Sequence, residues 1–184
     1  MKRTIAFIIG IIMLTGILAA CGGGNKTQGS GGNNPGVEVK GPEGDLPSII
    51  ESIYEKKDPE IMVDTMDVDI SDSDSLKYYT GLKSADKIKD ISVSESMIGS
   101  QAYSLVLLRL NSAADAEEIA QAMKSGIDPR KWICVEADDL RVVASGDVVM
   151  LVMISSVLED TVTADELVQA FEAVAGGTLT IDLK

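Results

Sequence analysis

The chain contains no histidine, and that absence removes the Ser-His-Asp and Cys-His hydrolases together with every common histidine-containing zinc site. Aromatic residues make up only 4% of it, so there is no broad platform for stacking sugar rings. Positive charge is scarce: 16 Lys and Arg stand against 29 Asp and Glu, a formal charge of −13, which argues against a nucleic-acid partner. Cysteine occurs only twice, at Cys21 and Cys134. No motif calls for a cofactor, and none is expected.

What the first twenty residues do have is a positive start, Lys2 and Arg3, and an almost unbroken apolar run from Thr4 to Ile17. That is the layout of a signal peptide. The run is too short for a comfortable membrane span, which takes about 20 apolar residues, and Gly22, Gly23 and Gly24 follow closely. It ends in Leu18-Ala19-Ala20-Cys21, which resembles the lipobox of bacterial lipoproteins. The resemblance implies cleavage before Cys21, a diacylglyceryl thioether on that cysteine, and attachment to the extracytoplasmic face of the cell membrane. Two acyl chains suffice physically, since each buried CH₂ contributes about 0.8 kcal/mol and a single chain holds only weakly. An uncleaved signal anchor and a cleaved, unlipidated secretory protein are the alternatives.

Cleavage there removes Lys2 and Arg3 and no acid, so the formal charge of −13 becomes −15. Such a domain is repelled by anionic headgroups and stands off the bilayer. With Cys21 acylated, Cys134 has no partner for an intrachain disulfide. Flanked by Ile133 and Val135, it reads as a small buried strand residue, with no histidine to activate it as a nucleophile.

Residues 21–44 read as the lipidated cysteine and a tether, because nine of the 17 glycines fall between Gly22 and Gly44. A coil of this composition spans roughly 25 to 30 Å. Residues 45–184 are one domain's worth of chain, enough for a single hydrophobic core. Asp45 is a good N-cap, Pro47 sits in the first turn, and Leu46, Ile49, Ile50 and Ile53 follow helical spacing until Asp58-Pro59. A polar stretch continues to Lys87, with a short helix predicted around Leu76 to Leu82.

The rest looks like one unit written twice. Strands over Ile88–Met97 and Ala102–Leu110 meet at Gly99-Ser100; a helix follows, with Ser112 and Asp115 as its capping box and Gly126 as its stop. Strands over Leu140–Ala144 and Val148–Ile154 meet at Ser145-Gly146-Asp147; a helix follows, with Thr163 and Glu166 as its box and Gly176 as its stop. Identity between the halves is low, so both a true duplication and a shared packing solution stay open. The two apolar second strands lack clean alternation, which places them centrally in a sheet covered on at least part of both faces. Leu179, Ile181 and Leu183 alternate and predict a last strand. The fold class is α+β, an antiparallel sheet with helices packed on it, in a ββα-ββα core preceded by an N-terminal helix.

The stretch from Met123-Lys124-Ser125-Gly126 to Arg130-Lys131-Trp132, followed by Leu140-Arg141-Val142-Val143-Ala144-Ser145-Gly146-Asp147-Val148-Val149-Met150-Leu151-Val152, resembles a family of lipoproteins from Gram-positive bacteria that carry a domain of unknown function. The similarity covers most of Leu46 to Ala175. It implies a Gram-positive envelope and brings no activity or site residue with it.

Several constellations bear on chemistry. Asp64, Asp67, Asp69, Asp72 and Asp74 crowd five carboxylates into eleven residues, as a hard cation such as Ca²⁺ requires, with oxygens at about 2.3 to 2.6 Å. Counted from Asp67, however, the EF-hand glycine and glutamate positions hold Asp72 and Tyr78, so a solvated, helix-capping loop competes with a metal site. Ser84-Ala85-Asp86-Lys87 matches the S-x-x-K signature of penicillin-recognising enzymes, but its companion motifs are missing. Arg130, Lys131 and Trp132 form the one place where cations and an indole meet, suited either to gripping a ligand or to covering a core edge. Tyr78 and Tyr79 are the other aromatic pair.

Two function classes follow. One is a non-catalytic binding module whose partner is an envelope protein or a small ligand. The other is a carboxylate-based envelope hydrolase drawing on Glu95, Glu136, Asp138 or Asp139. A deep pocket with two facing acids favours the enzyme, and a flat apolar patch favours the binder.

Overall fold

The computed structural model describes residues 39–184. The expected signal peptide, the expected lipidation site Cys21 and most of the expected tether lie outside the described residues. Among those described, no helix is long and apolar enough to cross a membrane.

Helix α1 (Leu46–Lys56) begins where Asp45 accepts a hydrogen bond from the Ser48 amide at 2.9 Å, and it buries Leu46, Ile49, Ile50 and Ile53. Strand β1 (Val63–Asp67) and helix α2 (Ser73–Thr80) precede the hairpin β2 (Ile88–Ser96) and β3 (Tyr103–Leu110). Helix α3 (Ala116–Gly126) leads to the hairpin β4 (Asp139–Ser145) and β5 (Val148–Ile154), then helix α4 (Ala164–Val174) and strand β6 (Ile181–Leu183). The six strands form one antiparallel sheet in the order β1-β2-β3-β5-β4-β6, which is the α+β architecture the sequence implies.

The two central strands explain why their residues do not alternate. Successive strand side chains point to opposite faces. Val106, Leu108, Val149 and Leu151 therefore pack with α2 and α3 on one face. Leu105, Leu107, Met150 and Val152 pack with α1 and α4 on the other. Every residue of β5 is buried. Burial on both faces selects apolar residues at every position.

Placing the helices shows whether the ββα order is also a repeated three-dimensional unit. A ββα unit repeated across the antiparallel β3–β5 pair would be related by a twofold axis normal to the sheet, leaving both copies' helices on the same face. Instead α3 and α4 lie on opposite faces, and α3 packs over β4, β5 and β6 of the other half. The order of elements repeats, but the three-dimensional unit does not.

Three local expectations need correction. Ser112 caps a 3-10 turn (Ala113–Asp115) by accepting from the Ala114 amide, so no Ser112–Asp115 box opens α3; Thr163 and Glu166 do form a reciprocal capping box. Cys134 is exposed on a loop with φ 68°, not buried in a strand, and Ile133 beside it is 85% exposed. The domain also starts before Asp45. Gly41 and Pro42 are buried, and Arg109 donates to the carbonyl oxygens of Pro42 (3.1 Å) and Gly44 (2.8 Å) while pairing with Asp147 at 3.0 Å.

Gly146 makes that docking possible: its φ is +56°, and a Cβ there would lie 2.1 Å from the Gly41 amide nitrogen. Gly146→Ala is expected to lose more than about 1 kcal/mol through strain and to expel the preceding segment. Limited proteolysis of the variant should show new cleavage between residues 39 and 44; unchanged protection would contradict this packing.

Candidate functional site

The ends of α2 and α3 are pressed together. Gly81 caps α2 with φ +75°, donating its amide to Lys77 O at 2.9 Å, and a Cβ on Gly81 would fall 2.2 Å from the Ile127 nitrogen. Gly126 meets the Gly81 carbonyl just as closely. Only glycine fits such a left-handed, close-packed turn. The contact sets Tyr78 and Tyr79, in the last turn of α2, beside the chain leaving α3.

That chain has no regular structure between Gly126 and β4. Asp128 accepts from the Arg130 amide at 2.9 Å, and the Ala137 amide donates to Pro129 O at 2.9 Å, closing a small loop at its base. From this strap the Lys131 side chain turns inward until only 2% of it is exposed. Its Nζ lies 2.5 Å from Glu95 Oε1 and donates to Ser104 Oγ at 3.3 Å. It also sits 4.7, 5.2 and 5.1 Å from the ring centroids of Tyr78, Tyr79 and Trp132. Three of the chain's seven aromatic residues thus surround one ammonium group, all within the roughly 6 Å over which a ring face attracts a cation. Tyr78 and Tyr79 meet edge to face, at 4.9 Å and 89°.

Glu95 is placed by register: it lies opposite Ser104 on β3 and Asp64 on β1. Burial pushes the Lys131 ammonium below its ordinary pKa, with the Glu95 carboxylate opposing that shift. Burial, followed by the Glu95 charge, pushes the Tyr78 and Tyr79 hydroxyls up.

The structure divides the Arg130-Lys131-Trp132 group. Arg130 points outward and pairs with Glu136 at 2.5 Å, whereas Lys131 and Trp132 form the cage. Tyr78, Tyr79, Glu95 and Ser104 complete it, and no sequence spacing ties them to residue 131. The one available hint was that Tyr78-Tyr79 and Trp132 hold three of the few aromatics.

The acidic cluster is dispersed into local roles. Asp67 accepts from Ser92 Oγ, Asp69 accepts from the Ser71 amide and hydroxyl, and Asp72 caps α2 through the Asp74 amide. Asp64 lies on β1 and Asp74 in the exposed first turn of α2. Among the described residues no three His, Cys, Asp or Glu side chains converge as a metal-ligand set.

The carboxylates considered for hydrolysis also have structural partners. Glu95 holds Lys131, Glu136 holds Arg130, Asp138 accepts from the Ser156 amide at 2.5 Å, and Asp139 accepts from the Ala164 amide at 3.0 Å. A cleft of about 840 Å³, open to solvent, contains none of these four. It is lined by Asp45, Asp67, Asp69 and Asp90, and the first three already make the hydrogen bonds described above. Ser84 accepts from the Asp86 amide and Lys87 pairs with Asp115 and Glu118, so no serine–lysine dyad forms.

No protein-family model, curated protein or solved structure matches this chain.

The depressed Lys131 pKa fixes the sign of a pH effect. Between the folded pKa and the ordinary 10.5, the unfolded chain holds more protons on this amine than the native state, so stability rises with pH. Lys131→Met keeps the apolar stem and removes the titration. The stability of the native chain minus that of Lys131→Met is therefore expected to increase as pH approaches 10.5, measured by urea unfolding. A flat or falling difference would mean that the amine is not desolvated as described.

Proposed function

We propose that this chain is a lipoprotein held at the extracytoplasmic face of a Gram-positive cell membrane through lipid on Cys21, and that its folded domain is a non-catalytic binding module for an envelope protein or a small ligand. The signal-peptide layout and Leu18-Ala19-Ala20-Cys21 support the anchor. The low arginine and lysine content weighs against nucleic acid as the partner.

One observation carries the binding reading: exposed methionines gather at the β1 edge of the sheet, with Asp64 between two of them. The Met97 amide donates to Met62 O at 2.9 Å, which brings two exposed methionines side by side, 62% and 67% exposed. By strand alternation they share a face with Met66, which is also exposed, and Ile98 extends the strip into the hairpin turn. Solvent-facing methionines are costly to a monomer and suit an adaptable contact surface.

Two outcomes test the proposal. The native chain is expected to incorporate labelled palmitate in cells and Cys21→Ser is not, and a native chain that takes up no label would remove the lipid anchor. A photo-crosslinking residue in place of Met97 is expected to capture a neighbour on intact cells far more often than one in place of Ala173, on the opposite face in α4. Equal capture from both positions would contradict a binding role for the strip.

A further inference from the structure

The Lys131 cage is a complete receptor for an ammonium group, and the loop that delivers its occupant also supplies one wall, Trp132. Tyr78 and Tyr79 come from α2, Glu95 from β2, Ser104 from β3 and Trp132 from the strap, so separate elements converge on a single cation. The strap's outer part is solvent-facing, with Ile133 and Cys134 exposed and Cys134 held at a positive φ that non-glycine residues seldom adopt. The cage also has an open side, since Tyr78 is 42% exposed.

We propose that this cage is a binding site for a trimethylammonium group, that Lys131 is its resident occupant, and that a ligand enters by displacing the Lys131 side chain while Trp132 stays as a wall.

The chemistry of the walls selects the ligand class. Ring faces and a carboxylate attract any ammonium, but a primary ammonium must surrender strong hydration to enter a dry cage. Glu95 Oε1 is buried without a hydrogen bond of ordinary geometry even though Nζ is close, so the directional N–H groups of Lys131 are used incompletely. A quaternary ammonium carries the same charge with weaker hydration and needs no directional donor, which is why aromatic cages suit it. The lowered proton affinity of Lys131 agrees with a desolvation cost falling on the present occupant. Asp64, opposite Glu95, adds to the negative potential of the site.

Self-occupancy lowers apparent affinity by the fraction of time the cage is vacant. Removing the occupant should therefore raise affinity for a free ligand. Trp132 is the only tryptophan, so its emission reports on the cage alone.

The test titrates choline chloride into the native chain and into Lys131→Ala, following Trp132 emission and melting temperature, with sodium chloride as the ionic control. Lys131→Ala is expected to show a saturable emission change and a rise in melting temperature, with half-saturation about tenfold or more below that of the native chain. Glu95→Gln in the Lys131→Ala background is expected to weaken the response. Phosphatidylcholine vesicles form a second arm: a response to vesicles alone assigns the group to a lipid headgroup, and a response to choline alone assigns it to a soluble ligand. A folded Lys131→Ala chain that responds to neither choline nor vesicles overturns the proposal. If Lys131→Ala unfolds the domain, refolding in choline but not in sodium chloride supports the site, and continued unfolding in choline overturns it. The strip lies on the same sheet face, with Glu95 two residues from Met97, but the cage is read by choline titration and the strip by crosslinking, so failure of one is distinguishable from failure of the other.

Discussion

The β3–β5 pairing, unbroken from Tyr103 opposite Ile154 to Arg109 opposite Val148, is the constraint on which the remaining structure depends. Seven consecutive residue pairs are formed from strands that present apolar side chains to both faces. A sheet centre of this kind is stable only if both faces are covered, which requires helices on each side. α1 and α4 cover one face, and α2 and α3 the other. The outer strands are then free to be more polar, and β1, at the edge, buries none of its residues fully.

The cage depends on this frame. Ser104 is fixed by pairing with Met153 on β5 and Glu95 on β2, so the floor of the site is set by the central register. Its walls depend on the Gly81–Gly126 approach between helix ends. The cation it holds differs from the other buried one, Arg141, which pairs with Asp165 of α4 and Asp182 of β6 and ties both to β4. Arg141 is met by two carboxylates; Lys131 is met by one carboxylate and three rings. A buried ion pair returns little net stability once desolvation is counted, and a cation over a ring contributes about 0.5 to 2 kcal/mol. Three rings around Lys131 offset part of a cost that Glu95 alone would not cover.

Much of the frame was legible in sequence because local signals and tertiary packing agree. The Asp45 cap, the Thr163–Glu166 box and the run Val148–Ile154 each produce the expected element, and the absence of alternation in β3 and β5 correctly marks them as central. β1 went unrecognised because an edge strand of sequence Val-Asp-Thr-Met-Asp needs no apolar face, and its acids read as a loop. Cys134 was misread because two apolar neighbours imitate a buried strand, while the loop around them is fastened through Lys131 and the Pro129–Ala137 hydrogen bond. The segment from 39 to 44 looked like tether because its composition is glycine-rich, yet Arg109 and Gly146 hold it on the domain. In the candidate site, the group Arg130, Lys131 and Trp132 is divided, Arg130 turning outward to Glu136 while Lys131 and Trp132 meet in the cage. Side-chain direction on an irregular strap, and partners from positions 78, 79, 95 and 104, are decided by tertiary packing that no local spacing encodes.

Native-state hydrogen exchange, resolved by residue, tests the central constraint most directly, because the last amides to exchange mark the structure lost only on global unfolding. The amides of Leu105–Leu108 on β3 and Val149–Val152 on β5 should exchange last and together. Slower exchange in β1 or β6, or separate opening of β3 and β5, would contradict a fold organised around their pairing.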